Sequence, residues 1–168
     1  MRGRLRPATA SDAAQLAALI LAHRSALTLE DQGLSAEKFL ESVSEAAVRA
    51  YIESERYAYT VLEAEGQILG FIALRDRTHL FHLFVAQAHQ RRGIARQLWE
   101  SALRCARDNP NARSFTVNSS PGAVAAYSSF GFVRAAAPVQ MHGIAFVPMV
   151  LALDENAASP TGGHTIGP

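Results

Sequence analysis

The segment from His79 to Leu98 constrains the fold of this chain most, because its character changes twice within a short span. The part up to Val85 is rich in apolar and aromatic residues, as a buried strand is, and the part from Gly93 onward has the spacing of an amphipathic helix. The turn between them is basic. A helix N-terminus offers unpaired peptide N–H groups and partial positive charge, and glycine lets the backbone approach a ligand closely. A strand that enters a helix through such a turn therefore predicts an anion site.

The composition is typical of a globular domain with a core: 168 residues, 49% hydrophobic and 18% charged. A net charge of +1, from 16 basic and 15 acidic residues, argues against nucleic acid as a partner. The single cysteine, Cys105, excludes an internal disulfide and fits the cytoplasm. No apolar run approaches the ~20 residues of a membrane span, and the basic N-terminus leads into no apolar signal segment. We therefore expect a cytoplasmic protein without nucleic-acid or membrane partners.

Periodicity and turn residues predict one mixed α/β domain over residues 1–154 and a C-terminal tail over residues 155–168. The expected element order is β-α-α-β-β-β-α-β-α-β-β. The expected strands lie at about 3–8, 57–63, 67–74, 80–85, 114–117, 132–139 and 144–153, and the expected helices at about 9–27, 35–55, 93–107 and 123–130. Ser35 is the expected cap of the second helix, and Gly131 the expected end of the last one. Glu65-Gly66 is the expected two-residue hairpin turn between the second and third strands.

Two short motifs carry a family resemblance. The first is Gln90-Arg91-Arg92-Gly93-Ile94-Ala95, and the second is Tyr127-Ser-Ser-Phe-Gly131-Phe132. They resemble the acyl-CoA-binding signature and the downstream Tyr-x-x-x-Gly-Phe segment of the GNAT superfamily, the acyl-CoA-dependent N-acyltransferases. The resemblance extends over residues 3–153, and the runs 117–121 and 143–149 are similar to a largely uncharacterised bacterial subgroup. It implies a single-domain GNAT fold whose mixed central sheet contains a splayed strand pair.

The resemblance also implies acetyl-CoA as the cosubstrate. Peptide N–H groups and guanidinium groups of the basic turn would hold its pyrophosphate. Backbone groups of the splayed strand would pair with the pantetheine arm, and the N–H of Val85 would stabilise the oxyanion. Asn118 could bind the pantetheine arm or substrate, or could instead cap a helix. The expected cosubstrate contacts are Leu83, Phe84, Val85, Gln90, Arg91, Arg92, Gly93, Ile94, Ala95, Arg96 and Asn118.

Acyl transfer to an amine requires a neutral nucleophile and a stabilised leaving thiolate. Tyr127 is the expected acid, because a phenol (pKa near ~10) can give or share its proton with a thiolate (thiol pKa near ~8.5). A core tyrosine is the alternative. His79 is the expected base, directly or through a water, because it occupies the position of the carboxylate base in the histone-acetylating branch of the family. His82 is the second choice, and an imidazole bonded to a backbone carbonyl is the structural alternative for either histidine.

Strand alternation places His79 and His82 on opposite faces of the sheet, unless a bulge intervenes. For that reason, and because no Cys or carboxylate completes a set with His89, we expect no metal site. Cys105 is expected on the apolar face of its helix, far from the basic turn, as a small hydrophobic residue without a covalent role.

We expect an N-acetyltransferase that moves an acetyl group from acetyl-CoA to the amine of a small molecule or peptide by direct attack in a ternary complex. A non-catalytic acyl-CoA-binding or sensor module and an interaction domain without CoA are the alternatives. Fold resemblance identifies neither the acceptor nor the acyl chain. Acidic residues could attract a cationic amine or form only a solvated helix face; they are Glu30, Asp31, Glu37 and Glu41. The segment 146–151 could form part of the sheet of a homodimer.

Overall fold

The computed structural model describes residues 3–29, 36–109 and 112–153, which form an eight-stranded sheet with helices packed on both faces. The strands are β1 (Arg4–Pro7), β2 (Tyr57–Ala64), β3 (Gln67–Arg75), β4 (His79–Val85), β5 (Ser114–Ser119), β6 (Val133–Arg134), β7 (Val139–Met141) and β8 (Ile144–Ala152). The helices are α1 (Ala13–Leu21), α2 (Arg24–Leu27), α3 (Glu37–Ser42), α4 (Glu45–Glu53), α5 (Ile94–Arg107) and α6 (Val124–Ser129). The predicted tail at 155–168 lies outside the described residues.

The sheet has the order β1-β2-β3-β4-β5-β8-β6, and β7 pairs with β8 beside this path. Strands β1 to β4 are joined antiparallel, whereas β4 and β5 are parallel. The turn between β2 and β3 has φ angles of 52° at Glu65 and 76° at Gly66, as the predicted two-residue hairpin requires. The predicted mixed α/β sheet is therefore confirmed. Met149 and Val150 of β8 pair with both β5 and β6, so this part of the segment predicted for a dimer sheet is not a free sheet edge.

Two apolar clusters cover the two faces of the sheet. On one face α1 and α4 bury Leu16, Ile20 and Val48. On the other, α5 buries Trp99, whose ring lies 4.9 Å from that of Phe115. Fully burying an aliphatic or aromatic side chain of this size contributes about 1.5–3 kcal/mol, so these two stripes fix the helices against the sheet.

The predicted placement of Cys105 is wrong, because this side chain is exposed. The apolar face of α5 is centred on Trp99 and Ala102 and continues to Ala106 rather than to Cys105. Helix periodicity puts Ala102 and Ala106 under the stripe that Trp99 begins, and Cys105 beside that stripe, facing solvent.

Each of the two predicted N-terminal helices is divided in two. The first ends at Leu21, because His23 leaves helical geometry (φ −102°, ψ 7°) and its N–H bonds the carbonyl of Ile20 instead of continuing the helix. The second is interrupted before Ser44, whose hydroxyl accepts a hydrogen bond from the N–H of Ala47 at 3.2 Å and starts a new helix. The predicted cap, Ser35, lies outside the described residues.

The predicted strand at 132–139 is also largely wrong. Only Val133–Arg134 and, separately, the first residue of β7 belong to strands, and the alanines between them are exposed. Alanine has a low strand propensity, and Pro138 cannot donate to a ladder. Gly131 ends α6 in a left-handed conformation (φ 101°), as predicted.

Candidate active site

A cavity of about 270 Å³ lies over the junction of β4 and β5. These parallel strands pair at only two positions, His79 with Thr116 and Leu80 with Val117, although β4 runs on to residue 85 and β5 to residue 119. The strands therefore diverge toward their C-terminal ends, which is the splayed pair that the family resemblance implies. The cavity is lined by six predicted site residues, namely His79, His82, Leu83, Phe84, Asn118 and Tyr127.

A β-bulge brings the two histidines to the same face of the sheet. His82 pairs with Ala73, and Leu80 pairs with the next residue of β3, so Phe81 is an extra residue in β4. The rings of Phe81 and His82 consequently lie side by side, with centroids 4.1 Å apart. Alternation resumes on either side of the bulge, so His79 shares this face. The prediction that the two histidines lie on opposite faces is therefore wrong. It held only in the absence of a bulge, and a bulge is present.

The two imidazoles have different environments. His79 is half-buried, its Nδ1 lies 2.8 Å from the Thr116 hydroxyl, and its pKa is lowered by burial and by the nearby Arg75. His82 is buried, with its Nδ1 3.2 Å from the Tyr59 hydroxyl, and burial lowers its pKa to about 3. Both rings are therefore neutral at pH 7. The sequence left open a structural alternative, an imidazole bonded to a backbone carbonyl. Neither of these two hydrogen bonds is of that kind.

Tyr127 is buried on α6 and borders the cavity. Its ring packs edge-on against Phe130 and Phe132, with centroid distances of 6.2 and 5.7 Å. Burial raises the pKa of Tyr127, so the phenol is fully protonated at neutral pH. Tyr127 is thus a core tyrosine, which was the structural alternative, and it also borders the cavity, as the interpretation as an acid requires.

The basic turn after β4 has the backbone of an anion loop. Arg91 and Gly93 take left-handed conformations, with φ angles of 60° and 78°, and Gly93 is the N-cap of α5. Arg91 and Arg92 are exposed, whereas Ile94 is buried and anchors the helix to the core. The unpaired N–H groups of the first helical turn and two exposed guanidinium groups therefore lie together at the end of β4.

Two of the predicted cosubstrate-binding residues, Gln90 and Arg96, have side chains that contact other parts of the protein. The amide Nε2 of Gln90 lies 3.0 Å from Nε2 of His23 and donates to the carbonyl of Val85 at 3.3 Å. The guanidinium of Arg96 lies over the ring of Phe130, with its central carbon 5.3 Å from the centroid. Gln90 thus contacts the N-cap of α2, and Arg96 contacts the C-cap of α6, so we expect these two residues to contact an anion mainly through their backbone.

Asn118 does not cap a helix. Ser120 and Ala123 are the N-caps that precede the next two helical turns, and the exposed Asn118 lies on the cavity wall. The capping interpretation is therefore wrong, and the interpretation as a ligand contact stays a prediction.

Residues that sequence reasoning missed also line the cavity, among them Arg75, Phe39, Phe81 and Phe146. Within the described residues, no three His, Cys, Asp or Glu side chains come close enough together to hold a metal ion. No helix in this part of the chain is long and apolar enough to cross a membrane.

The splayed strands, the anion loop at the start of α5 and a protonated phenol beside the gap are the features expected of an acyl-CoA-dependent acyltransferase. Residues 25–153 match the acetyltransferase (GNAT) domain family, and the chain belongs to that family. It is similar to human N-acetyltransferase 8, with 32% identity over 97 residues that cover 51% of this chain and 43% of that protein. The chain thus matches less than half the length of this curated relative.

Solved structures share the fold. A GCN5-related N-acetyltransferase from Rhodopseudomonas palustris has a TM-score of 0.75 at 24% identity, covering 91% of this chain and 97% of the other. PaiA N-acetyltransferase from Thermoplasma acidophilum, solved with coenzyme A, has a TM-score of 0.72 at 14% identity, covering 91% and 100%. YncA, a putative acetyltransferase from Salmonella typhimurium solved with acetyl-CoA, has a TM-score of 0.69 at 22% identity, covering 94% and 98%.

Proposed function

We propose that this protein is an N-acetyltransferase that moves the acetyl group of acetyl-CoA to the amine of a small molecule or peptide by direct attack. The observation that carries this proposal is the cavity over the β4–β5 gap, because a neutral imidazole (His79) and a phenol (Tyr127) both border it. The two structural neighbours solved with coenzyme A or acetyl-CoA support the choice of cosubstrate.

The pyrophosphate of acetyl-CoA would bind at the turn that contains Arg91, Arg92 and Gly93, where backbone N–H groups and positive charge converge. The pantetheine arm would follow β4 past Phe84 toward the gap, pairing with backbone groups that β5 leaves unpaired. In that pose the N–H of Val85 donates to the thioester oxygen and stabilises the oxyanion of the tetrahedral intermediate.

In the reaction the amine nitrogen forms a bond to the thioester carbon, and the carbon–sulfur bond then breaks. His79 accepts the proton that the amine loses, directly or through a water; its lowered pKa keeps it unprotonated and ready to do so at pH 7. Tyr127 donates a hydrogen bond to the leaving sulfur. The expectation that Tyr127 could give its proton to the thiolate is wrong, because a phenol is a weaker acid than a thiol and burial raises the pKa of Tyr127 further, so complete transfer is uphill. The proton taken by His79 finally neutralises the thiolate.

We place the protein in the cytoplasm, where its exposed Cys105 would stay reduced. A homodimer, if formed, would extend the sheet through β6, whose Val133 is 61% exposed.

Thermal unfolding with increasing acetyl-CoA, followed by thiol release across a panel of amines, tests the proposal. Ligand at 100 times its Kd should stabilise the fold by about 2.7 kcal/mol, and at least one amine should release free CoA. The variant R91E/R92E should lose the shift, whereas R104E/R107E, with the same charge change at the far end of α5, should keep it. No shift for the natural protein would overturn the proposal, and a shift without thiol release would indicate a non-catalytic acyl-CoA-binding module.

A further inference from the structure

The cavity has a distinct chemical character on the side that would receive the acceptor. Its wall there is formed by apolar side chains from four parts of the fold, namely Leu27, Phe39, Phe81, Ile144 and Phe146. Arg75 is the one formally charged side chain among the described lining residues, and no described carboxylate faces the cavity. Of the four acidic residues that the sequence suggested as attractors of a cationic amine, Glu37 and Glu41 are exposed on α3 and do not line it. The other two, Glu30 and Asp31, lie outside the described residues.

The charge of Arg75 is poorly compensated within the protein. Among the residues that the structure describes, its ion-pair partner is Asp76, whose Oδ2 is 3.8 Å from Nε and thus beyond hydrogen-bond distance. Both oxygens of Asp76 accept hydrogen bonds from Arg56 instead, at 2.9 and 2.8 Å. The guanidinium of Arg75 lies over the ring of Phe81, 5.7 Å from its centroid. Among the described residues it therefore has donors to spare for an anion on the cavity side.

Arg75 also lies directly across the antiparallel ladder from His79, because these two residues are register partners of β3 and β4. Side chains of partner residues stand on the same face, with Cβ atoms about 5 Å apart. The guanidinium also lowers the pKa of His79, so an anion held by Arg75 would lie near the proposed base. In an α-amino acid, the carboxylate and the amine are attached to the same carbon.

We infer that the acceptor is an amino acid with a free α-carboxylate and an apolar side chain, and that Arg75 binds this carboxylate. Two guanidinium N–H groups donate to the two carboxylate oxygens, the amine points toward His79, and the side chain packs against Phe39 and Phe146. This inference rests on the proposed function, because it assumes that an amine is acetylated at this cavity.

The test compares two acceptors with the same side chain, L-phenylalanine and L-phenylalaninamide, of which only the first has a carboxylate, with acetyl-CoA as donor. The variants are R75Q, R75K and the control R77Q, which removes an exposed arginine outside the cavity. R75Q should lower kcat/KM for phenylalanine by about 10- to 100-fold, the effect of losing hydrogen bonds to a charged group. R75K should recover part of the loss, and R77Q should leave the rate unchanged.

The amide acceptor separates anchoring from general damage. R75Q also removes a positive charge near His79, but that change affects both acceptors alike and cancels in the ratio of their kcat/KM values. We expect the ratio of acid to amide to fall at least about tenfold in R75Q, the scale of one charged hydrogen bond. An unchanged ratio would overturn the inference, as would a preference of the natural protein for spermidine over phenylalanine.

Failure of this inference is distinguishable from failure of the proposed function. Thermal unfolding with acetyl-CoA is measured on each variant, and the shift should be the same in R75Q as in the natural protein. If acetyl-CoA binds and no apolar amino acid is acetylated, the carboxylate assignment is wrong while the cosubstrate assignment stands. If acetyl-CoA produces no shift in the natural protein, the proposed function itself is wrong.

Discussion

The imidazole Nδ1 of His79 lies 2.8 Å from the hydroxyl of Thr116 on the neighbouring parallel strand. The two residues form one of the two register pairs that join β4 to β5 immediately before the strands diverge. When Nδ1–H donates to this hydroxyl, Nε2 carries the lone pair, which is the form that a general base requires. Thr116 is therefore in position to set both the orientation and the tautomer of the proposed base.

The variant T116V, which removes the hydroxyl and nearly keeps the side-chain shape, should lower kcat by about five- to tenfold, as expected for losing one hydrogen bond. The KM for acetyl-CoA should change by less than twofold, because Thr116 on β5 lies beside the start of β4, and the anion loop follows the other end of that strand. T116S keeps a hydroxyl and should retain most of the activity. If T116V and T116S lose activity equally, the hydroxyl does not position His79, and packing at this position is responsible.

The acidic limb of the pH–rate profile should report His79. Its pKa is lowered by burial and by Arg75, so the ring loses its proton below the ordinary histidine value of 6.5. The kcat/KM value should therefore be constant from pH 7 down to that lowered pKa and should fall as the ring becomes protonated below it. H79Q should abolish this limb and reduce kcat by about 10²-fold, the lower end of the contribution of a general base.

His82 provides the contrast. Its pKa of about 3 and its full burial make it a poor base and an integral part of the core. H82Q should lower the melting temperature, because the amide must replace a buried imidazole that contacts Tyr59 and stacks on Phe81. The acidic limb should persist in this variant. A limb that disappears in H82Q but remains in H79Q would reverse the assignment of the base.

The order of the elements and the anion loop could be predicted from the sequence, whereas the bulge in β4 could not. Helical and strand periodicity, together with the turn residues Gly66 and Gly131, were sufficient for the order of elements, because local chemistry determines them. The bulge at Phe81 depends on the pairing of β4 with β3, which a period-two rule does not describe. The repeat His-Leu-Phe-His-Leu-Phe over 79–84 was a signal of the bulge. Like side chains recur at every third position there, whereas simple alternation would repeat them at every second position.

Arg75 and Thr116 were missed for a related reason. Arg75 lies on β3 and Thr116 on β5, the two strands that pair with β4, and each is a register partner of His79. Their closeness to His79 therefore depends on strand register. Turn residues and apolar patterns predict which segments are strands, whereas register is determined by the packing of the whole sheet.

Tyr127 should act on the leaving sulfur rather than on cosubstrate binding. Y127F keeps the ring contacts with Phe130 and Phe132 and removes only the hydroxyl, so the fold should be preserved. We expect kcat to fall by about 10²-fold and the Kd of acetyl-CoA, measured by titration calorimetry, to stay within about twofold. F130L, which alters the same aromatic group without touching the hydroxyl, is the matched control. An unchanged kcat in Y127F would remove Tyr127 from the reaction.

The ion pair between Arg6 and Asp12 should make the stability of the fold depend on pH in the acid range. The carboxylate of Asp12 accepts hydrogen bonds from Arg6 at 2.8 and 3.0 Å and from the N–H of Thr9 at 2.8 Å, and these bonds hold its pKa at about 2, below its ordinary 3.8. Because the pKa is lower in the folded state, the stabilisation is present above the unfolded pKa and is lost as the pH falls toward 2. A shift of this size corresponds to about 2 kcal/mol at pH 7.

D12N should therefore lower the free energy of unfolding in urea by about 2 kcal/mol at pH 7, and the difference from the natural protein should shrink steadily between pH 4 and pH 2. D76N is the control, because Asp76 and its partner Arg56 are 52% and 65% exposed and solvent screens their attraction. Equal losses of unfolding free energy in D12N and D76N at pH 7 would contradict this prediction, as would a D12N difference that does not depend on pH. Either result would show that the ion pair of Asp12 does not stabilise the contact between β1 and the start of the helical region.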